Sequence, residues 1–325
     1  MQPSGAAAGI EFSSADSTVR PKLYTTKGSF DVKVSKTVAL SLATVLALGA
    51  FALTGCGGSK SGATSTTGTP EAEELSGSIS VSGSDTMVNL AQAWAEEFGN
   101  ANPGVMVSVK GGGSGNGIAA LLNKTTDFAN ASRDIKDEEV EQAKTAGVDP
   151  VTTVVAKDGV VIIVNSANKV TDISVDDLGK VYRGEITNWK ELGGADAPIV
   201  LLSRDSSSGT YGFMQDEVIG KEGKFAKSTR NLQSTQAIVD EVSKNANGIG
   251  YIGLGYENAT IKPINVEGKT ASVETVLDGS YPLSRPLNMI SNGAPAGVGQ
   301  AYIDWILSPA GQKIVADQGF VPLTK

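Results

Sequence analysis

Along the chain, short strand-like alternations and longer helical spacings follow one another. Ser78 to Ser82 (SISVS) alternates with a period of two and predicts a strand. After the polar turn Gly83-Ser84-Asp85-Thr86, the residues Met87, Leu90, Ala91, Trp94 and Phe98 recur at helical spacing and predict a helix with that face inward. The same order repeats: a strand over 104–110, the turn GGGSGNG, a helix over 118–122, a strand over 127–132, and an exposed helix over 136–144. That last helix carries acids early and Lys late, in agreement with its dipole.

Val151 to Asn165 supplies two β-branched runs around Lys157-Asp158-Gly159. Ser174, with Asp177 three residues later, predicts a capped helix over 175–182. A strand over 199–203 leads through Ser206-Ser207-Ser208-Gly209-Thr210 into a helix over 211–219. Ser234 caps a helix over 235–244, strands follow over 249–254 and 285–290, and 299–318 is helical with a break at Ser308-Pro309.

Alternating elements over 325 residues, with no repeat of fixed period, predict an α/β fold, and the length allows two lobes or one large domain. A formal net charge of −8 argues against a nucleic-acid partner, whose capture depends on Lys and Arg neutralising phosphates. An anionic ligand would have to be held by local donors rather than drawn in by the overall field. The chain has no His, which excludes a Ser-His-Asp triad, a Cys-His pair and a His-ligated zinc site. The acids Asp137, Glu138, Glu139 and Glu141 read as a solvated helix face, so no metal site is expected. The glycine-rich turns lack the Lys-Ser/Thr ending of a P-loop and do not fit GxGxxG, and no cofactor is implied.

The apolar run VALSLATVLALGAFAL (38–53), preceded by Lys33 and Lys36, reads as the core of an export signal, and it is short for a membrane span. Leu53-Thr54-Gly55-Cys56 follows at once and resembles the bacterial lipobox, in which a lipid-modified Cys becomes the first mature residue. Cys56 is the single cysteine, so no internal disulfide competes for it. Residues 1–55 are therefore expected to be a leader and signal peptide, with 1–32 as either an unusually long leader or a mis-assigned start. Residues 56–76, rich in Gly, Ser, Thr and acids, are expected to be a flexible tether. Cleavage before Cys56 removes more basic than acidic residues and leaves a more acidic body.

Three turns, GSDTM (83–87), GGGSGNG (111–117) and SRDSSSGT (203–210), each place Ser or Thr and glycine at the start of a predicted helix. There the first N–H groups lack intrahelical partners and the dipole is positive, so an oxyanion can accept several hydrogen bonds. One such turn is ordinarily a helix cap. Three of them, with Arg204 and with Arg133 after Ser132, point to a small-anion site.

These motifs, together with VYRGEITNWKEL, GIGYIGLGY and the ending YIDWILSPAGQKIVADQGFVPL, closely resemble the phosphate-binding proteins of Pst-type ABC transporters, from about Ser78 to Leu323. The resemblance implies the two-lobe type II periplasmic-binding-protein fold with two crossing hinge strands. Lobe one would combine roughly 77–156 with 258–325, and lobe two would be 157–257. It also implies phosphate held by Ser84, Thr86 and the N–H of Met87, by Ser114 and Ser132, and by Arg204, Ser208, Gly209 and Thr210. The expected partners are inorganic phosphate and membrane permease subunits. A monomer lipid-anchored on the outer face of the cytoplasmic membrane is expected, without enzymatic activity.

One position departs from the better-known relatives, which place an Asp after the Ser of the third segment to accept the proton of hydrogen phosphate. Here that position is Arg133. Arg133 is expected to add a second positive contact, with Asp85, a Ser hydroxyl or a backbone carbonyl as the acceptor. Competing readings are a same-fold binder of sulfate, molybdate or tungstate, a secreted phosphatase using a Ser of SSSGT, and a surface adhesin or phosphate sensor.

Overall fold

In the computed structural model, which describes residues 74–323, the alternating segment Gly77–Gly83 forms strand β1 and turns Ile79 and Val81 into the core. A single 3₁₀ turn, Asp85–Met87, leads into α1 (Val88–Ala101), whose buried face is Leu90, Ala91, Trp94 and Phe98, as the helical spacing predicts. β2 (Val105–Lys110), α2 (Ser114–Leu122), β3 (Phe128–Ala131) and α3 (Asp137–Thr145) complete the first run. α2 starts at Ser114, four residues before the apolar spacing begins, because the Gly-Ser turn itself is wound into its first turn.

β4 (Pro150–Asn165) is one strand of 16 residues, not two runs around a turn. Lys157-Asp158-Gly159 has turn composition, yet each residue keeps a partner on the neighbouring strand, so pairing overrides local preference. There follow β5 (Asp172–Ile173), α4 (Val175–Arg183), β6 (Val200–Arg204) and α5 (Gly209–Met214). α5 passes into a wider π turn, Gln215–Ile219, which ends at Gly220. β7 (Arg230–Leu232), α6 (Thr235–Lys244), β8 (Gly248–Gly253), β9 (Ile261–Val266) and α7 (Val273–Leu277) lead to β10 (Ser284–Asn292). The helical end divides at Ser308 into α8 (Gly297–Leu307) and α9 (Pro309–Asp317), with Ser308 capping the second.

The strand order is β2-β1-β3-β10-β4-β8-β6-β7, with β9 along the other edge of β4 and β5 beside it. β1 runs parallel to β2 and β3, and β6 runs parallel to β7 and β8. Two parallel sets are thus joined through β4, which pairs with β10 up to Gly159 and with β8 from Val160 onward. In open α/β sheets ligands gather beyond the carboxyl ends of the strands. Here the carboxyl ends of β1, β2 and β6 feed the three turns that the sequence singles out, and that of β3 leads into Ser132 and Arg133. α1 is anchored from behind by the Trp94 indole, which donates to the carbonyl of Gly311, and by Phe98 packed on Tyr302 with ring centres 5.0 Å apart.

Candidate functional site

The polar turns meet. The Thr86 and Thr210 hydroxyl oxygens are 2.9 Å apart, the Ser84 hydroxyl donates to Ser132 Oγ at 2.9 Å, and Ser114 Oγ is 3.5 Å from Ser132 Oγ. The N–H of Ser132 donates to Ser114 Oγ at 3.1 Å. All six hydroxyl residues, Ser84, Thr86, Ser114, Ser132, Ser208 and Thr210, are buried. Burying so many hydroxyls is costly unless each has a hydrogen-bond partner.

Local geometry explains how the turns approach so closely. Gly113 caps α2 at φ 104°, a conformation that favours glycine, and a Cβ there would lie 2.5 Å from Ser207 Oγ. Gly209, the first residue of α5, lies so near that a Cβ would come within 2.5 Å of Ser132 Oγ and would also collide with Ser114 Oγ. The first turns of α2 and α5 therefore converge with the 3₁₀ turn that opens α1, and their N–H groups carry partial positive charge into one small region. The turn after β6 is tied to the turn after β2 by two further bonds: Gly115 N–H donates to the Ser207 carbonyl at 2.9 Å, and Ser207 Oγ donates to the Gly112 carbonyl at 3.2 Å.

Arg204 is a buried cation in this region. Its Nε donates to the Leu232 carbonyl, Nη1 to Thr235 Oγ1 at 2.8 Å and Nη2 to the Gln233 carbonyl at 2.9 Å. A guanidinium has five N–H donors, so these three anchors leave one on each terminal nitrogen. Burial pulls the Arg204 pKa down, and the Asp85 carboxylate opposes that shift. Asp85 Oδ2 stands 3.7 Å from Nη2 and accepts the Thr235 N–H at 2.7 Å, spanning from the β1 turn to the start of α6.

Arg133 lies against the same region but directs its guanidinium elsewhere. Nη1 and Nη2 form a two-pronged pair with Glu139 at 2.8 and 2.7 Å, and Nη1 also donates to the Asp134 carbonyl. Its stem packs on Gly212 of α5, where a Cβ would lie 3.0 Å from Arg133 Cδ. Met87 is fully buried, and its N–H donates to the Ser84 carbonyl at 3.2 Å.

Comparison with known proteins adds to this geometry. Residues 63–310 match the family model of the PBP superfamily domain. The phosphate-binding protein PstS of Pseudomonas aeruginosa is 30% identical over 276 residues, covering 78% of this chain and 85% of that protein. PstS of Bacillus subtilis is 32% identical over 255 residues, covering 78% and 83%. A substrate-binding protein of a phosphate ABC transporter from Clostridium perfringens, solved with bound phosphate, is 35% identical with a TM-score of 0.72, covering 76% of this chain and 100% of that one. The chain belongs to the PstS family of the PBP superfamily. An ABC-type phosphate transport receptor from Vibrio cholerae shares the architecture at a TM-score of 0.64 and 28% identity, covering 75% and 99%.

Membership of the PstS family brings the two-lobe type II fold with it. Several residues that shape the site carry no local motif. Thr235 holds Arg204, Glu139 holds Arg133, and Ser207 ties two turns together. Asp158 and Arg285 form a buried ion pair beside the Ser132 carbonyl. The available signal was a charge inside a strand otherwise destined for burial, since such a charge requires a partner. The expected lipidation site Cys56, the signal peptide and most of the tether lie outside the described residues.

Proposed function

We propose that this chain is the extracytoplasmic solute-binding component of a phosphate-import ABC transporter and holds one inorganic phosphate between its two lobes. Residues 77–156 with 258–325 make one lobe and 157–257 the other. The observation that carries this reading is the convergence of six buried hydroxyls, the first turns of three helices and the anchored guanidinium of Arg204.

Ser84, Thr86, the Met87 N–H as it turns from the Ser84 carbonyl, Ser114 and Ser132 bind from lobe one. Arg204, Ser208, the Gly209 N–H and Thr210 bind from lobe two. The two N–H groups that Arg204 keeps free suit a two-pronged contact with one oxyanion. Arg133, its charge matched by Glu139, supports the site from beside Gly212. Asp85, held next to Arg204, supplies the acceptor for the proton of hydrogen phosphate. An unprotonated sulfate would meet that carboxylate unpaired.

Binding bridges the lobes, and the closed form is what the membrane permease subunits recognise. The protein breaks no bond, acts as a monomer, and is tethered through lipid on Cys56 at the outer face of the cytoplasmic membrane. A chromogenic phosphate ester should remain intact in its presence. Titration calorimetry of the purified protein, freed of bound phosphate, should show one phosphate per chain. No heat and no saturation from a folded sample would overturn the reading.

A further inference from the structure

Asp158 on β4 and Arg285 on β10 face each other in register, and both are buried. Asp158 Oδ2 accepts from Nε at 3.0 Å and from Nη2 at 2.7 Å. That grip leaves Nη1, which donates to the Ser132 carbonyl at 3.0 Å. Ser132 is therefore held at both of its backbone polar groups, since its N–H already donates to Ser114 Oγ. Its hydroxyl is the hub that Ser84 and Ser114 approach.

The pair also reaches the other half of the molecule. Asp158 Oδ1 accepts the Leu254 N–H at 2.9 Å, just past the end of β8. The Arg285 guanidinium carbon lies 5.6 Å from the centre of the Phe213 ring on α5, the helix that begins at Gly209. A Cβ on Gly253 would sit 2.8 Å from both Asp158 Oδ2 and the Thr86 methyl, so the pair also lies close behind Thr86.

A buried ion pair is a poor source of stability, because the cost of removing both charges from water offsets most of their attraction. Holding one carbonyl in one orientation is a task that an apolar pair of similar volume cannot perform. We propose that Asp158 and Arg285 are positioning residues for the anion site: through the Ser132 carbonyl they set the direction of the Ser132 hydroxyl, and through Leu254 and Phe213 they relate it to the opposite lobe. The proposal rests on the oxyanion reading of the hydroxyl cluster.

The test separates positioning from stability in the full chain, using urea midpoints and phosphate affinity by titration calorimetry. Arg285→Met alone should lower both. The double variant Asp158→Leu with Arg285→Met should recover much of the urea midpoint lost in Arg285→Met, short of the cost of leaving the Leu254 N–H and the Ser132 carbonyl unpaired, yet bind phosphate at least tenfold more weakly than the parent. Recovery of both stability and affinity to within twofold of the parent would overturn the proposal. Should the double variant not fold, Arg285→Lys decides, since it keeps the charge next to Asp158 but removes the fork that reaches Ser132. At least fivefold weaker binding is expected from it, and unchanged binding would overturn the proposal. A parent that binds no phosphate would instead sink the oxyanion reading itself.

Discussion

Thr86 and Thr210 are 124 positions apart in the chain, yet their hydroxyl oxygens lie 2.9 Å from each other, so the start of α1 and the start of α5 share one polar contact. Each is also a candidate phosphate donor. Replacing either by Val keeps the volume and removes the hydroxyl. Because hydrogen bonds to charged groups contribute about 1.5–3 kcal/mol, Thr86→Val and Thr210→Val should each weaken phosphate binding by roughly tenfold or more. Titration calorimetry reads the loss, and a thermal melt checks that the fold is retained.

Arg204 should be intolerant of a change that keeps its charge. Lysine offers a point charge without the planar fork, and it cannot reproduce the anchors to Leu232, Gln233 and Thr235 while still facing an anion. Arg204→Lys should lower phosphate affinity by about a hundredfold, a loss of roughly 2.7 kcal/mol. Equilibrium dialysis with labelled phosphate measures it, and affinity within threefold of the parent would contradict the assignment.

Asp85 is placed to discriminate between anions. Asp85→Asn can still accept the Thr235 N–H, but it removes the negative charge 3.7 Å from Arg204. Sulfate should gain relative to phosphate in the variant, so the ratio of the two affinities, measured by competition, should narrow by about tenfold. An unchanged ratio would leave the selection to the hydroxyls.

A prediction away from the site concerns α4. The Ser174 hydroxyl accepts the Asp177 N–H at 3.0 Å, and Ser174→Ala should cost about 1 kcal/mol of stability near neutral pH. Lys180 first, and then Ser174, hold the Asp177 carboxyl below the ordinary carboxylate range. A depressed carboxylate stabilises the fold above its unfolded-state pKa, and that contribution is lost as pH falls through the folded value. The difference in urea midpoint between parent and variant should therefore shrink as the pH is lowered from 7 to 3.

Much of this could be read from the chain because the signals were local. The face of α1, the cap at Ser174, the break at Ser308 and the three hydroxyl-rich turns all follow from spacing and from the chemistry of helix starts. What stayed hidden depends on partners far away in the chain. Lys157-Asp158-Gly159 looks like a turn until Pro286, Arg285 and Ser284 are laid beside it. β9 has no readable strand pattern because Lys262 and Pro263 interrupt its alternation, and it forms where β4 and β5 offer edges. At Arg133 the residue type predicts a second positive contact to the anion. Only the structure shows that Glu139, six residues on, takes its guanidinium.

Titrating the phosphate-free protein with phosphate in the presence of excess sulfate asks whether the hydroxyl cluster and Arg204 form a phosphate-selective site. One phosphate should bind per chain, with an affinity that sulfate leaves almost unchanged. Displacement of phosphate by an equal concentration of sulfate would contradict it.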